Sequence, residues 1–512
     1  MLANASRRLA LAFAYAVVAG TALYALIFLD PYISLIMLPF FALGCARGKH
    51  PATLLALAAA PVVMLLLVSQ IKFRLTGWPL VTYDHFFLRQ NVLMLAYNDW
   101  RVALVVALVV AAVVFYVRGL FTGRGSFSRF EKGGVLALSL ACLGCVIGLS
   151  KWDQSIYNWQ TQFVTPTIRT FVASVRMPKP ALQVISTAQA NVPPQTAGMT
   201  APAGDLPDLF FVLQESTFPP SALRPGYQPQ ALFAAGTPNG IDGETGPLHV
   251  NTFAGATWRT EFSFTTQMAP QEFGNDGLYV FYQLEGRIKQ SIFTRLKALG
   301  YRTMVFYPVP GAFINARNFY TSIGVDEFYD PPALGISTGW EWKAADSAFY
   351  AAMLKTIAGS DKPVAAMMLT INQHGPHNEL DPATDYLERF AASDAAYGDF
   401  LQALTSRGRK AGVVAFGDHQ PEFTAFSGTS PDLYVTAYDI RCVNFACAPS
   451  DSHGHKVDST MLASHAMEAF GFTLDGFSAL QRSAFEGCAD DLRKCGESAR
   501  LKVNSAFAAF FE

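Results

Sequence analysis

The chain has 512 residues, of which 51% are hydrophobic and 15% are charged, and its formal net charge is −1. A net charge this close to zero creates no overall field that would attract nucleic acid. The sequence contains neither a G-x-x-x-x-G-K-[ST] nor a G-x-G-x-x-G motif, so nothing in it supports nucleotide-driven chemistry.

The first 150 residues hold few of the charges, which predicts a transmembrane domain over residues 1–150. A helix needs about 20 predominantly apolar residues to cross a bilayer. Three basic clusters, at Arg7–Arg8, Arg47–Lys49 and Arg118–Lys132, fall on one side of the membrane if the N-terminus is cytoplasmic, so we expect an external chain after Lys151. The exception is the loop Lys72–Asp99, which carries Lys72, Arg74 and Arg89 and is placed outside. The five predicted spans are Leu9–Leu29, Ile33–Cys45, Ala52–Ile71, Val102–Val117 and Val135–Leu149.

Residues 151–207 are expected to form a helix followed by a linker, because Ala188–Asp208 is rich in Pro, Ala, Gly and Thr and lacks periodicity. Four cysteines beyond it are closely spaced in pairs. In an external domain such spacing predicts two disulfides, and a metal knuckle is the alternative, although neither pair has C-x-x-C spacing. The pairs are Cys442/Cys447 and Cys488/Cys495.

Residues 208–475 alternate apolar strands with amphipathic helices, which indicates an α/β domain with a mostly parallel sheet. Residues 476–512 are predicted to be a tail that carries the second cysteine pair. The predicted strands are Leu209–Gln214, Thr303–Tyr307, Val364–Ile371, Val413–Phe416 and Leu433–Ala437. The predicted helices include Ser291–Leu299, Asp346–Ile357, Tyr386–Ser406 and Ser459–Phe470.

Three of these strands end at side chains that can bind a metal ion. Asp418 and His419 follow one apolar run, Glu215 follows another, and His374 lies just after a third. Open α/β sheets bind ligands beyond the carboxyl ends of their strands, so we expect these ends to converge. Two carboxylates and an imidazole suit Zn²⁺ or Mn²⁺. The alternative is a strand end closed by an ordinary Asp turn.

A nucleophile could come from the hydroxyl-rich segment HVNTFAGATWRTEFSFTT. Gly255 and Ala256 allow a tight turn before Thr257 and would expose its side chain at a helix start, where the helix dipole favours an anion. A Thr-rich strand or cap is the alternative. The residue chemistry alone does not choose among Thr252, Thr257, Thr260, Ser263, Thr265 and Thr266.

Three short motifs, which follow five apolar segments, resemble those of the lipoteichoic acid synthase family. They are LQES at Leu213–Ser216, GATWRTEF at Gly255–Phe262 and FGDH at Phe416–His419. Its members are polyglycerol-phosphate synthases and related phosphoglycerol transferases of the alkaline phosphatase/sulfatase superfamily. The resemblance implies a sulfatase-like domain outside the bacterial inner (cytoplasmic) membrane. It also implies transfer of a phosphoglycerol-type head group from a membrane phospholipid, through a phosphothreonine, to a glycan or lipid-linked glycan acceptor.

By the same resemblance, Glu215, Asp418 and His419 would bind one divalent cation, which is Mn²⁺ in the synthases, with Zn²⁺ or Mg²⁺ as alternatives. Thr257 would complete the ligand set and act as the nucleophile. A guanidinium would clamp the phosphate bidentately. The residues expected to contact the substrate are His374, Arg317, Arg259 and His377.

Two departures from the family leave the head group open. FYPVPGAF stands around Tyr307 where the synthases have a histidine, and the GPH after His374 is closer to phosphoethanolamine transferases. The alternatives are therefore a phosphoethanolamine transferase acting on lipid A or another envelope glycan, an envelope phosphatase or phosphodiesterase, and a non-enzymatic membrane protein. GATWRTEF lacks the C/S-x-P-x-R core of sulfatases, so sulfate ester hydrolysis is not expected.

Overall fold

The computed structural model describes residues 107 and 110 and most of residues 198–486, with gaps at 224–239, 274–275, 338–343, 376, 379, 422, 425–431 and 450–455. The chain divides into two units, Met1–Pro178 and Lys179–Glu512, and almost all described residues belong to the second. Residues 107 and 110 fall in the predicted span Val102–Val117, and the rest of the five predicted spans lies outside the described residues. Residues 151–197 of the predicted helix and linker and the Cys488/Cys495 pair also lie outside them. Within the described ranges, no helix combines the length and the apolar character needed to cross a membrane.

The described residues form one sheet, and its strands are β1 (Asp208–Gln214), β2 (Asp242–His249), β3 (Arg302–Phe306), β4 (Glu327–Tyr329), β5 (Val364–Leu369), β6 (Ala411–Gly417), β7 (Val435–Val443) and β8 (Val457–Asp458). The strand order is β4-β3-β5-β1-β6-β7-β2-β8. Neighbours are parallel except where β7 meets β6 and β2, so β7 alone runs against the other strands of this sheet. The prediction of a mostly parallel sheet is confirmed.

The α-helices of the same part of the chain are α1 (Thr257–Thr266), α2 (Val280–Gln283), α3 (Ile292–Ala298), α4 (Ala316–Ser322), α5 (Pro331–Leu334), α6 (Asp346–Ile357), α7 (Pro382–Ser406), α8 (Leu462–Ala469) and α9 (Gly476–Glu486). The prediction for α6 has the observed bounds. Helix α7 begins one turn earlier than predicted because Asp381 caps it, accepting a hydrogen bond from Thr384 N, and Pro382 stands at its first position.

The central strands are buried along their whole length. Every residue of β1, β5 and β6 is buried, as expected for parallel strands that read as near-continuous apolar runs. Gly417 ends β6 next to the turn after β1, and a β-carbon there would lie 1.7 Å from the carbonyl oxygen of Thr217. Only glycine allows the two strand ends to approach this closely.

Strand β2 was not predicted, because DGETGPLH contains two glycines and a proline, which are typical of turns. It pairs with β7 along its length and with β8 only at Leu248 and His249. Most of β2 therefore has one neighbour among the described residues, a setting in which Pro247 is tolerated.

The predicted Cys442–Cys447 disulfide is confirmed and closes the segment after β7.

Candidate active site

Four predicted site residues meet at one edge of the sheet. Strands β1 and β6 are parallel neighbours with Gln214 paired to Gly417, so the residues that follow them leave the sheet at the same level. Glu215 follows β1, and Asp418 and His419 follow β6. Strand β2 runs in the same direction and leads through residues 250–256 to Thr257, the first residue of α1.

The side chains of this cluster are close enough to share one ion. Glu215, Asp418 and His419 are buried, and their candidate ligand atoms lie within 4.8 Å of one another. His419 Nε2 is 3.4 Å from Glu215 Oε1 and 3.2 Å from Asp418 Oδ2. The Thr257 hydroxyl is 3.2 Å from Glu215 Oε2 and 3.4 Å from His419 Nε2. We call these four residues the ligand cluster.

The two oxygens of Asp418 have different surroundings. Oδ1 accepts hydrogen bonds from the backbone N–H groups of Ser216 at 2.7 Å and His419 at 2.9 Å. Oδ2 is buried and accepts no hydrogen bond from the described residues. Buried polar atoms rarely lack a partner, and this oxygen lies 3.2 Å from the candidate ligand atom of His419. The donor set and this oxygen fit a cation between these residues.

The electrostatics of Glu215 agree with that interpretation. Burial raises the pKa of Glu215 to about 8, and the negative charge of Asp418 adds to the effect, while His419, Ser216 and Thr257 act in the opposite direction. Two buried carboxylates at this distance repel one another, and a bound cation would remove that repulsion.

A strained turn brings Thr257 to the cluster. Ala254, Gly255 and Ala256 all have positive φ angles, of 61°, 145° and 62°. Non-glycine residues rarely adopt this conformation, and such strain is concentrated at functional sites. Thr252 supports the turn by donating its hydroxyl to the Gly255 carbonyl at 2.6 Å.

The structure distinguishes Thr257 from the other hydroxyls of its segment. Thr257 alone among the six donates to a carboxylate of the ligand cluster. Thr260 donates to the backbone carbonyl of Asp418 at 2.8 Å and so supports the β6 end. The hydroxyls of Ser263, Thr265 and Thr266 donate to helix carbonyls one turn earlier.

The loop after β5 carries both predicted substrate-contacting histidines. Gln373 accepts a hydrogen bond from Thr217 Oγ1 at 3.0 Å, so this loop lies against the turn that carries Glu215. His374 is half-buried, and its carbonyl accepts from Arg389 Nη1 at 2.9 Å. His377 is only 8% exposed, and burial lowers its pKa to about 4, so its ring is neutral near pH 7.

The two predicted phosphate-binding arginines lie in different surroundings. Arg317 donates from Nη2 to Asp330 Oδ2 at 2.7 Å and from Nη1 to the Phe328 carbonyl at 3.0 Å. Arg259 is 1% exposed, and burial lowers its pKa to about 10. It lies two positions after Thr257, and residues two apart on a helix do not share a face.

Sequence reasoning missed Glu261, although its position four residues after Thr257 places both on one face of α1. The Glu261 carboxyl is fully buried and accepts hydrogen bonds from the hydroxyls of Tyr320 at 2.6 Å and Tyr307 at 3.2 Å. Burial raises its pKa to about 8, and the charges of Asp418 and Glu215 contribute to the shift. Near pH 7 the carboxyl is therefore mostly neutral and adds little negative charge beside the cluster.

Comparisons with known proteins agree on the fold. The family model described as Sulfatase matches residues 210–470. A Haemophilus influenzae protein described as uncharacterized is 24% identical over 428 residues, which are 74% of this chain and 76% of that protein. The Bacillus subtilis protein described as lipoteichoic acid synthase-like YvgJ is 24% identical over 189 residues, which are 34% of this chain and 30% of that protein.

Among solved structures, the chain is similar to a protein from Neisseria meningitidis described as the integral membrane lipooligosaccharide phosphoethanolamine transferase A (EptA). The TM-score is 0.53 at 12% identity, and the match covers 88% of this chain and 95% of that one. This similarity shows a shared fold.

Proposed function

The chain belongs to the Sulfatase family, and we propose that it is a metal-dependent phosphotransferase of the bacterial envelope. Its reaction would move a phosphoglycerol-type head group from a membrane phospholipid to a glycan or lipid-linked glycan. The observation that carries the proposal is the Thr257 hydroxyl, which lies within 3.4 Å of both a carboxylate and an imidazole of the ligand cluster.

Glu215, Asp418, His419 and Thr257 would hold the divalent ion. The support for this is the buried Oδ2 of Asp418 and the repulsion between two buried carboxylates. The ion would lower the pKa of the threonine hydroxyl and neutralise charge on a phosphoryl group. We propose Mn²⁺, with Zn²⁺ or Mg²⁺ as alternatives that the N/O ligand set also permits.

The remaining chemistry belongs to the chain. In the first half-reaction, Thr257 Oγ1 gives up its proton and attacks the phosphorus, the phosphorus–oxygen bond to diacylglycerol breaks, and the leaving oxygen takes up one proton, so the net number of protons is unchanged. A phosphothreonine ester remains at the start of α1, where the helix dipole favours an anion. In the second half-reaction, an acceptor hydroxyl loses its proton and attacks the phosphorus, the phosphorus–oxygen bond to Thr257 breaks, and Thr257 takes up a proton to recover its hydroxyl.

His374, Arg317, Arg259 and His377 remain proposed substrate contacts. His374 is best placed for this role, because it is half-buried and its loop packs against the turn carrying Glu215. It would bind the non-bridging oxygens or assist proton transfer. Arg317 would have to exchange Asp330 for the phosphate.

The head group has two candidates. The description of YvgJ as lipoteichoic acid synthase-like favours phosphoglycerol. The sequence HGPH at residues 374–377 favours phosphoethanolamine, the group named in the description of EptA. The description of EptA as an integral membrane protein also supports a membrane location for this chain. We propose five spans over residues 1–150, a helix and linker over 151–207, a catalytic domain over 208–475 outside the inner membrane, and a tail over 476–512.

Lipid mass spectrometry tests the proposed donor. The full chain, purified in detergent and mixed with vesicles of phosphatidylglycerol and phosphatidylethanolamine plus Mn²⁺, is expected to consume phosphatidylglycerol and release diacylglycerol. Consumption of phosphatidylethanolamine instead would assign the second head group. If the yield of diacylglycerol is as high in water alone as with an added glycan, the protein is a hydrolase. If the amounts of both lipids stay unchanged, the proposal is contradicted.

The pH dependence of ion binding follows from the state of Glu215. Because burial raises its pKa to about 8, the carboxyl must release a proton when it binds the ion. We therefore expect Mn²⁺ affinity to rise as the pH increases toward about 8 and then to level off. Calorimetry in two buffers of different ionisation enthalpy would measure both affinity and proton release, and an affinity that is constant through neutral pH would contradict this assignment.

A further inference from the structure

The turn after β1 combines local hydrogen bonds, such as that from Ser216 Oγ to Glu215 Oε1 at 2.8 Å, with hydrogen bonds to distant parts of the chain. Glu215 N donates to Thr370 Oγ1 at 3.1 Å, and Ser216 N donates to Asp418 Oδ1 at 2.7 Å. Ser216 has a φ of 51°, a conformation that is unfavourable for a residue with a side chain. Such a conformation persists only where the surroundings enforce it, so the groups that hold this turn determine where the Glu215 carboxylate lies.

Tyr386, in the first turns of α7, supplies two further hydrogen bonds to this turn. Its hydroxyl donates to the Ser216 carbonyl at 2.9 Å and accepts from Phe218 N at 3.3 Å. The side chain is fully buried, and its ring packs on Phe218 with 5.2 Å between ring centroids. One hydroxyl thus satisfies a backbone acceptor and a backbone donor on either side of Thr217.

The same hydroxyl connects this turn to the loop that carries His374. Gln373 Nε2 donates to the Tyr386 hydroxyl at 3.2 Å, and Gln373 Oε1 accepts from Thr217 Oγ1 at 3.0 Å. A closed set of hydrogen bonds therefore joins the Glu215 turn, the loop after β5 and helix α7. We call Tyr386 and Gln373 the turn clamp.

We propose that Tyr386 is a positioning residue for the ligand cluster, acting through the backbone of the Ser216 turn to hold the Glu215 carboxylate where an ion can bind. This inference rests on the proposed function, since it concerns the same ion. Residues that orient metal ligands without touching the metal typically change its affinity about 10- to 100-fold when they are replaced. Without the hydroxyl, the Ser216 carbonyl and Phe218 N–H both lose their partner, and the strained turn can relax.

The test is Mn²⁺ binding by the full chain, measured by calorimetry with no lipid present. Tyr386→Phe removes only the hydroxyl and is expected to weaken Mn²⁺ binding about tenfold or more. Tyr397→Phe is the matched control, because Tyr397 is also buried in α7 and donates to Asp439 Oδ2 at 2.9 Å. Gln373→Met, which removes the amide partner, should weaken binding in the same direction and by less.

Melting temperatures in EDTA distinguish positioning from general destabilisation. Both tyrosine variants should lose similar stability without metal, but only Tyr386→Phe should lose Mn²⁺ affinity. Wild-type affinity in Tyr386→Phe, or an equal loss in Tyr397→Phe, would overturn the positioning role alone. If the wild-type chain itself binds no Mn²⁺, Zn²⁺ or Mg²⁺, the ligand assignment falls, and the proposed function falls with it.

Discussion

Replacing Thr257 with alanine is expected to abolish head-group transfer, with a loss on the order of 10³-fold or more, as for other residues that form a covalent intermediate. The physical reason is that Thr257 is the one hydroxyl of its segment that donates to a cluster carboxylate. Its removal leaves no oxygen to carry the phosphoryl group. The fold should persist, because Thr257 is partly exposed at the first position of α1.

Two further variants make this result specific. Thr257→Ser keeps a hydroxyl and should retain part of the activity. Thr265→Ala, on the same helix, removes a hydroxyl that donates only to the Glu261 and Phe262 carbonyls and should leave turnover almost unchanged. Diacylglycerol release measures all three. Release by Thr257→Ala at the wild-type rate would refute the nucleophile assignment.

Replacing Asp418 with asparagine is expected to have the second-largest effect, a loss of divalent-ion affinity of about 100-fold or more together with the loss of transfer. The asparagine Oδ1 can still accept from Ser216 N and His419 N, so the turn geometry is kept. The position of Oδ2, which accepts no hydrogen bond from the described residues, would carry an amide that cannot bind a cation.

Asp208→Asn is the control for this variant. Asp208 is also a buried aspartate, but it lies at the start of β1, where it is paired in register with Ala411 at the opposite end of the same two strands. Its partners are Val364 N and Arg409, so its replacement should lower stability without changing the affinity for the ion. Calorimetric titration of both variants with Mn²⁺ would show whether only Asp418→Asn weakens ion binding. An unchanged Mn²⁺ affinity in Asp418→Asn would exclude Asp418 as a ligand.

The convergence of Glu215, Asp418 and His419 could be predicted, because parallel strands deliver their carboxyl ends to one edge of a sheet. The choice of Thr257 could not be made from residue chemistry. Six hydroxyls occur in one segment, and only the tertiary contacts of α1 distinguish them. The resemblance to the synthases pointed to the same residue, and its role as nucleophile stays a prediction.

Long-range contacts explain what was missed. In the sequence, Glu261 looks like an ordinary helical glutamate. Its role depends on the hydroxyls of Tyr307 and Tyr320, which β3 and α4 bring within hydrogen-bond distance of its carboxyl. Tyr386 reads as a residue of an amphipathic helix, and its hydrogen bond to the Ser216 carbonyl joins positions 170 residues apart. Strand β2 was not predicted because its glycines and proline favour turns locally. In the structure, pairing with β7 overrides that preference. Apart from residues 107 and 110, the five predicted membrane spans lie outside the described residues, and they remain a prediction.

The proposed mechanism requires a covalent ester at Thr257, formed when an ion is held by the ligand cluster. Mass spectrometry of peptides from the full chain, incubated with phosphatidylglycerol vesicles and Mn²⁺ but no acceptor, tests this directly. We expect a phosphoglycerol adduct on Thr257 that is absent in EDTA and disappears when an acceptor is added. Diacylglycerol release with Thr257 unmodified at every time point, or an adduct on a different residue, would contradict it.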